Sequence, residues 1–230
     1  MKVAIDGPAG AGKSSVASAV AKRLGFYYLD TGAIYRTLTL KVLKEKIDPH
    51  NEDLIARLAK ELNISIKEDK EGKRIFLDGE DVTDDIRTPL VNKYVSIISK
   101  HPRARREMVA LQRQIASRPH KIIMDGRDIG TVVMPDADFK FYLDASVKER
   151  ARRRLLEIKQ KDIDVTLEEI EREIENRDFI DSHREDSPLV VPPDARYIDT
   201  TNLSFNEVVD MLCRIITSGN KKGGDTADVL

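Results

Sequence analysis

The amino-acid sequence predicts an α/β fold in which helices flank a central parallel sheet. A short apolar strand pattern at residues 2–6 leads through a glycine-rich turn into a run of apolar residues at helical spacing. Residues 121–125 have the apolar character of a strand buried in a parallel sheet, and residues 139–144 are a further strand candidate. Helical patterns separate these strands, and this alternation is typical of a parallel sheet.

The turn after the first strand carries the pattern G-x-x-x-x-G-K-S in the strand–turn–helix context that the pattern requires. Glycines let the backbone aim its N–H groups at a phosphate chain, and the following helix adds the positive end of its dipole. Lys13 offers a mobile positive charge to terminal phosphates, and Ser14 offers a hydroxyl to Mg²⁺. A glycine-rich turn that binds nothing is the alternative, which the agreement of motif and context disfavours. The predicted loop consists of Gly7, Pro8, Ala9, Gly10, Ala11, Gly12, Lys13 and Ser14.

The composition is that of a globular chain with balanced charge. Its 39 basic and 40 acidic residues give a formal net charge of −1, which argues against general binding to nucleic acid or membranes. A single cysteine, Cys213, excludes a disulfide framework and lies in a helical apolar pattern, as a small core residue would. No run of about 18 apolar residues occurs, and the first strand leaves no room for a signal peptide. We therefore expect a cytoplasmic protein, with a monomer as the default state.

The segment after residue 30 begins a helix, and two polar residues near its start each have two possible roles. Thr31 is either the helix cap or a ligand contact, and Arg36 is either a surface residue or a ligand contact. Further on, residues 64–66 and 74–77 alternate around a charged turn at 68–73, and residues 80–82 extend the pattern. This predicts a small hairpin, which we place in an insertion at about residues 36–100.

A helix that begins at Pro102 carries three arginines in its first turn: Arg103, Arg105 and Arg106. Basic side chains oppose the helix dipole at this end, so they need another reason to be there. An anionic ligand is one reason, and a solvated surface is the simpler one for at least one of the three.

The apolar strand at 121–125 ends in Asp125, as a Walker B strand does. Arg127 and Asp128 follow directly, where the carboxyl ends of strands meet ligands in open α/β sheets.

The last third of the chain predicts helices with capping boxes that begin at Ser146, Thr166 and Ser204. If the second of these helices persists far enough, Arg177, Asp181 and Arg184 share one face. An exposed ladder of ion pairs is the alternative. Residues 195–199 are the last strand candidate, and we expect a flexible tail at 219–230.

The phosphate-binding loop by itself indicates only a nucleoside triphosphate. A GTPase would need an N-K-x-D segment to read the base, and the sequence has none. A small-molecule kinase needs a second site with cations for an acceptor phosphate. The arginines at 36, 105, 127, 177 and 184 could supply them.

Residues 7–14, 29–36 and 125–131 together closely resemble bacterial cytidylate kinases, and so do residues 82–88 and 177–189. The resemblance covers about residues 2–217, although Thr31 stands where many members have serine. It implies transfer of phosphate from ATP to CMP or dCMP with Mg²⁺, in pyrimidine nucleotide metabolism. It also implies a three-layer P-loop kinase fold over residues 1–218, with a core at 1–35, 101–149 and 186–218. The monophosphate-binding insertion at about 36–100 would contain a small antiparallel sheet, and residues of about 150–185 would form a helical lid.

The resemblance also implies roles for individual residues. The ATP-binding loop would extend through Ser15, and Arg153 in the lid would face ATP. The cytosine would be read by Ser96, Arg105 and Asp128. The acceptor phosphate would be clamped by Arg36, Arg127 and Arg184, which with Lys13 would be the catalytic residues. Thr31 would bind near the same nucleotide, and Asp181 with Arg177 would contact the sugar.

Other functions remain open on the sequence alone. Another small acceptor, such as UMP or shikimate, would use the same donor loop. A regulator that switches with ATP occupancy would hydrolyse ATP slowly and have no acceptor. A nucleic-acid-binding protein could use the arginine clusters, although the net charge disfavours it.

Overall fold

The computed structural model describes residues 1–69, 72–159 and 165–219. Part of the predicted hairpin turn (70–71), part of the predicted lid (160–164) and residues 220–230 of the predicted tail lie outside the described residues. Its helices and strands are, in chain order, β1 (Lys2–Asp6), α1 (Lys13–Leu24), β2 (Tyr27–Asp30), α2 (Thr31–Lys44), α3 (Glu52–Lys60), β3 (Ile64–Asp69), β4 (Gly72–Leu77), β5 (Glu80–Asp81), α4 (Pro89–Ser99), α5 (Pro102–Ala116), β6 (Ile122–Gly126), β7 (Phe139–Asp144), α6 (Val147–Lys159), α7 (Leu167–His183), β8 (Arg196–Asp199) and α8 (Phe205–Ser218).

The chain divides into two compact units, of which the first comprises Met1–Leu29 and Ala116–Leu230. The five-stranded sheet has the order β2-β6-β1-β7-β8, with β1 parallel to both β6 and β7. The predicted parallel α/β fold is therefore confirmed. The second unit, Asp30–Ile115, holds the three-stranded sheet β3-β4-β5, whose antiparallel pairing confirms the predicted hairpin. The finer division into core, insertion and lid stays a prediction.

The parallel register brings the ends of three strands to one edge of the sheet. Asp6 at the end of β1 is in register with Gly126 of β6 and with Tyr142 of β7. The residues that follow β1 and β6 are the glycine-rich loop and the pair Arg127–Asp128. Two segments that lie more than a hundred residues apart in the chain therefore start from the same edge.

The apolar core of the first unit is formed by β1 and β7 with helices α1 and α8. It includes Val3, Ile5, Phe141 and Leu212, all buried. Cys213 is buried in the same cluster as a free thiol, as its helical apolar context predicts. This packing anchors α1, and with it the loop from which α1 begins.

Two of the three predicted capping boxes are complete. At the start of α7 the hydroxyl of Thr166 accepts the N–H of Glu169, and the Glu169 carboxylate accepts the N–H of Thr166. At the start of α8, Ser204 and Glu207 form the same pair of hydrogen bonds. The box predicted at Ser146 is wrong in its second half. Ser146 Oγ accepts the N–H of Glu149 at 3.2 Å, but the N–H of Ser146 donates to Thr201 Oγ1 at 2.9 Å. The Glu149 carboxylate instead accepts hydrogen bonds from two arginines of its own helix.

Within the described residues, no helix combines the length and the apolar character that a membrane crossing requires.

Candidate active site

The glycine-rich loop has a backbone that only glycine adopts readily at three of its positions. Gly7, Gly10 and Gly12 have φ values of 146°, 77° and 81°. A Cβ at Gly7 would lie 2.0 Å from the carbonyl oxygen of Leu143 in β7. The loop is therefore seated directly against the sheet.

The Lys13 ammonium is buried beside the loop. Lys13 is the first residue of α1, and its Nζ donates to the carbonyl of Pro8 at 2.5 Å. Burial lowers the pKa of Lys13 well below its usual value, and the positive charge of Arg127 lowers it further. A bound phosphate would favour the charged form of this ammonium, as the carboxylates of Asp125 and Asp6 already do in part.

A hydroxyl and a carboxylate meet at the start of α1. Ser14 Oγ donates to Asp125 Oδ2 at 2.7 Å, and the hydroxyl of Tyr28 donates to Asp125 Oδ1 at 2.8 Å. Oxygen donors of this kind fit Mg²⁺, which commonly uses one or two protein oxygens and completes its shell with phosphates and water. In the described part of the chain, no group of three or more metal-ligating side chains offers a cage built from protein alone.

The carboxylate of Asp6 organises the turn after Arg127 and Asp128. Asp6 is 0% exposed, and it accepts the N–H groups of Ile129 at 2.8 Å and Gly130 at 2.7 Å. These residues begin a single π-helical turn, Ile129–Val133, whose N-cap is Asp128. The sequence analysis assigned no role to Asp6, although an acidic residue at the end of an otherwise apolar, buried strand was a signal for one.

Two arginines and two carboxylates form a buried network at the same edge of the sheet. Arg127 Nε donates to Asp181 Oδ2 at 2.8 Å, and Arg184 lies 3.7 Å from Asp181 and 3.8 Å from Asp128. Burial raises the pKa of Asp181, but the charges of Arg127, Arg177 and Arg184 outweigh it and hold the pKa below its usual value. The ionised carboxylate thus orients guanidinium groups, which suit phosphate oxygens.

Arg184, which contacts this network, lies just beyond the C-terminal end of α7. Helix α7 ends at His183, and Arg184 has an extended backbone with φ −68° and ψ 145°. The condition that the helix should persist through Arg184 is therefore not met. The chain turns back instead, with the N–H of Leu189 donating to the carbonyl of Asp181 at 2.8 Å and Arg184 Nε donating to the carbonyl of Ser187 at 2.6 Å.

In the second unit, the start of α2 is capped by Asp30 and not by Thr31. The Asp30 carboxylate accepts the N–H of Ala33 at 2.9 Å, and Thr31 is the first residue of the helix, buried. Arg36 lies 3.9 Å from the same carboxylate. The cap interpretation of Thr31 is therefore wrong.

Arg105 is a buried guanidinium, so the solvated-surface interpretation is wrong for it. Its side chain is in a residue only 1% exposed, its Nη1 donates to the carbonyl of Ser99 at 2.9 Å, and its guanidinium lies 5.3 Å from the centre of the Tyr35 ring. Ser96, one turn before Ser99 on α4, is also buried. Arg103, by contrast, is exposed and pairs with Asp53 of α3.

The predicted site residues are distributed over both units. The loop at 7–15 and Arg127, Asp128, Arg153, Arg177, Asp181 and Arg184 belong to the first unit, and Thr31, Arg36, Ser96 and Arg105 belong to the second. Their combination into one site stays a prediction.

Helix α6 brings two arginines to the glycine-rich loop. Arg153 donates to the Oγ1 and carbonyl oxygens of Thr200 at 3.1 and 2.6 Å, and its Nη1 would lie 3.9 Å from a Cβ at Gly12. Arg150, to which the sequence pattern gave no role, donates to the carbonyl of Ala9 at 2.9 Å.

The chain is similar to known proteins over nearly its whole length. The family model for cytidylate kinase matches residues 3–218. A cytidylate kinase of Caldanaerobacter subterraneus subsp. tengcongensis is 51% identical over 221 residues, which are 96% of each chain. A cytidylate kinase of Oceanobacillus iheyensis is 47% identical over 224 residues, 96% of this chain and 97% of that one. A solved structure of an uncharacterized protein from Eubacterium ventriosum shares the fold alone, with a TM-score of 0.50 at 12% identity over 95% of this chain and 99% of that one. The chain is a member of the cytidylate kinase family.

Proposed function

We propose that the protein transfers the terminal phosphoryl group of ATP to CMP and dCMP, forming CDP and dCDP. The observation that carries this proposal is the shared sheet edge, where a phosphate-binding loop with a buried lysine adjoins the Arg127–Asp181–Arg184 network. Membership of the cytidylate kinase family supports the choice of acceptor.

The donor half consists of the loop, Lys13, Ser14 and Asp125. Loop N–H groups and the Lys13 ammonium would bind the phosphates of ATP, because the N–H dipoles and the ammonium both present positive charge to phosphate oxygens. Ser14 and Asp125 would hold Mg²⁺, which when bound neutralises phosphate charge and orients the triphosphate of ATP. Arg153, beside Gly12, would add a further cation.

The acceptor half uses guanidinium groups to place a monophosphate. Arg127 and Arg184, oriented by Asp181, would bind its oxygens together with Arg36 of the second unit. Phosphoryl transfer requires alignment of the two substrates and neutralisation of spread charge more than covalent chemistry. No general base is needed, since the attacking group is already a phosphate oxygen anion.

Selection of cytosine would rest on Asp128, Arg105 and Ser96. The Asp128 carboxylate can accept from the N4 amino group of cytosine, whereas the C4 carbonyl of uracil would face it unfavourably. Arg105 and Ser96 can donate to N3 and O2. Asp181 with Arg177 would contact the sugar, and Thr31 would bind near the same nucleotide.

The proposal includes a predicted insertion at about 36–100 and a predicted lid at about 150–185 that closes over the substrates. Closure would exclude water, so that ATP is not lost to hydrolysis. We further propose that the enzyme acts as a cytoplasmic monomer and binds no nucleic acid, in keeping with its balanced charge.

The test is ADP formation measured with a panel of acceptors: CMP, dCMP, UMP, AMP and shikimate, each with ATP and Mg²⁺. We expect CMP and dCMP to stimulate turnover far above the rate without acceptor. Equal or better use of UMP or shikimate would reassign the acceptor. Slow hydrolysis that no acceptor stimulates would instead indicate a nucleotide-dependent regulator.

A further inference from the structure

The backbone of Ala9, in the glycine-rich loop, is held at both of its polar atoms by one ion pair. Its N–H donates to Asp178 Oδ1 at 3.1 Å, and its carbonyl accepts from Arg150 Nη1 at 2.9 Å. Arg150 Nη1 and Asp178 Oδ2 lie 2.5 Å apart. Arg150 belongs to α6 and Asp178 to α7, so two helices meet the loop at one residue.

This ion pair is closely fitted to the loop. The Arg150 side chain is 5% exposed, and its Nε donates to the carbonyl of Ala145 at 2.8 Å. A Cβ at Gly10 would lie 3.2 Å from the Cβ of Arg150, so the loop and the helix are in van der Waals contact. Asp178 is partly exposed, and both side chains form charge-assisted hydrogen bonds, which are stronger than those between neutral groups.

The hydrogen bond from Ala9 to Asp178 also bears on Lys13. The N–H of Ala9 and the carbonyl of Pro8 belong to the same planar peptide group. That carbonyl accepts from Lys13 Nζ at 2.5 Å while the N–H donates to Asp178. A rotation of this peptide would move the acceptor away from the lysine, so Asp178 holds the plane on which the position of Lys13 depends.

The hydrogen bond from Arg150 fixes the next peptide. The carbonyl of Ala9 points at the guanidinium, and in a trans peptide the N–H of Gly10 is directed the opposite way. Gly7, Gly10 and Gly12 give the loop wide conformational freedom, which such contacts remove. Two successive peptide planes are therefore oriented by one side-chain pair.

We propose that Arg150 and Asp178 are positioning residues for the triphosphate-binding loop, acting through the peptides on either side of Ala9 on the loop N–H groups and on Lys13. This rests on the proposed function only in that the loop binds a nucleoside di- or triphosphate. It does not depend on the identity of the acceptor.

The test compares MgADP binding, by calorimetry without any acceptor, with steady-state kinetics for ATP and CMP. We expect Asp178→Ala to weaken MgADP binding about tenfold or more and to lower kcat, because the Pro8–Ala9 peptide and Lys13 lose their fixed orientation. The KM for CMP should change by a smaller factor, because Asp178 acts on the acceptor side only through its charge near Arg127. Asp178→Asn, which keeps an acceptor oxygen but not the charge, should weaken MgADP binding by a smaller factor of about three to ten.

The matched control is Glu173→Ala, which removes an exposed carboxylate of α7, the helix that carries Asp178. It should leave MgADP binding, KM and kcat unchanged. The proposal is overturned if Asp178→Asn binds MgADP as the wild type does, or if the KM for CMP changes by as large a factor as the KM for ATP. Where Asp178→Ala does not fold, Asp178→Asn gives the answer. If CMP fails as acceptor in the wild type, the MgADP result still stands.

Discussion

The carboxylate of Asp6 accepts the N–H of Gly130 at 2.7 Å, across 124 positions of sequence. Asp6 immediately precedes the donor loop, and Gly130 lies two residues after Asp128. One buried side chain thus ties the start of the triphosphate-binding loop to the turn that carries Arg127 and Asp128, on which the proposed acceptor site depends.

Asp6 should make stability depend on pH in an identifiable direction. The pKa of Asp6 is raised from 3.8 to about 6, because burial, with a smaller contribution from the charge of Asp128, outweighs the lowering by the N–H bonds of Gly130 and Ile129 and by the charge of Lys13. A carboxyl whose pKa is raised by folding binds its proton more tightly in the folded state. Its contribution to the free energy of unfolding is therefore complete below pH 3.8 and is lost as the pH rises through about 6.

Asp6→Asn removes this titration. The difference in free energy of unfolding between wild type and variant, from urea titrations at several pH values, should fall by about 2 kcal/mol between pH values of about 4 and 7. A difference that stays constant over this range would show that Asp6 does not titrate as described.

Lys13→Ala should abolish turnover. The ammonium is the one charge that the loop itself supplies to the phosphates, and we expect kcat to fall about a thousandfold or more. Lys22→Ala, an exposed lysine on the same helix, is the matched control and should keep the wild-type rate. Near-normal kcat in Lys13→Ala would contradict the phosphate-binding role.

Arg127→Ala should cost about 2–4 kcal/mol of transition-state stabilisation, since it removes a guanidinium proposed to bind the acceptor phosphate and leaves Asp181 less well neutralised. The measurement is kcat/KM for CMP, with the exposed Arg214→Ala as control. A change smaller than about tenfold would indicate a structural role only.

Asp128→Ala should weaken CMP binding and narrow the preference for CMP over UMP. The reason is the loss of the acceptor for the N4 amino group, a contact that uracil cannot make. The readout is the ratio of kcat/KM for the two substrates. The exposed Asp136→Ala serves as the control, and unchanged selectivity in Asp128→Ala would exclude Asp128 as a base reader.

Gly7→Ala should destabilise the fold strongly. The new Cβ would lie 2.0 Å from the carbonyl oxygen of Leu143, at a φ of 146° that non-glycine residues rarely adopt. Gly25→Ala has a positive φ of 69° but no atom within 4 Å of the new Cβ, so it should cost only about 1 kcal/mol. Urea unfolding of both variants measures the contrast, and equal losses would contradict a steric cause at Gly7.

Sequence alone determined the features that neighbouring residues encode. The strand–loop–helix unit at Lys13, the strand that carries Asp125 and the caps at Thr166 and Ser204 all rest on residues within a few positions of one another. The prediction from a local pattern was wrong where one side chain had two possible sets of partners. The Glu149 carboxylate could complete the capping box at Ser146 or accept hydrogen bonds from arginines of its own helix, and in the structure it accepts from Arg152 and Arg153.

Tertiary structure decided the contacts that join distant segments. Three sets of contacts depend on how strands pair and helices pack. They are the hydrogen bonds of Asp6 with Ile129 and Gly130, the approach of Arg184 to Asp181, and the hydrogen bonds of Arg150 and Asp178 with Ala9. No spacing along the chain encodes them, because a side chain's partner is set by strand register and helix placement. The loop could be identified from its own eight residues, whereas what orients it could be identified only once the fold had brought α6 and α7 to it.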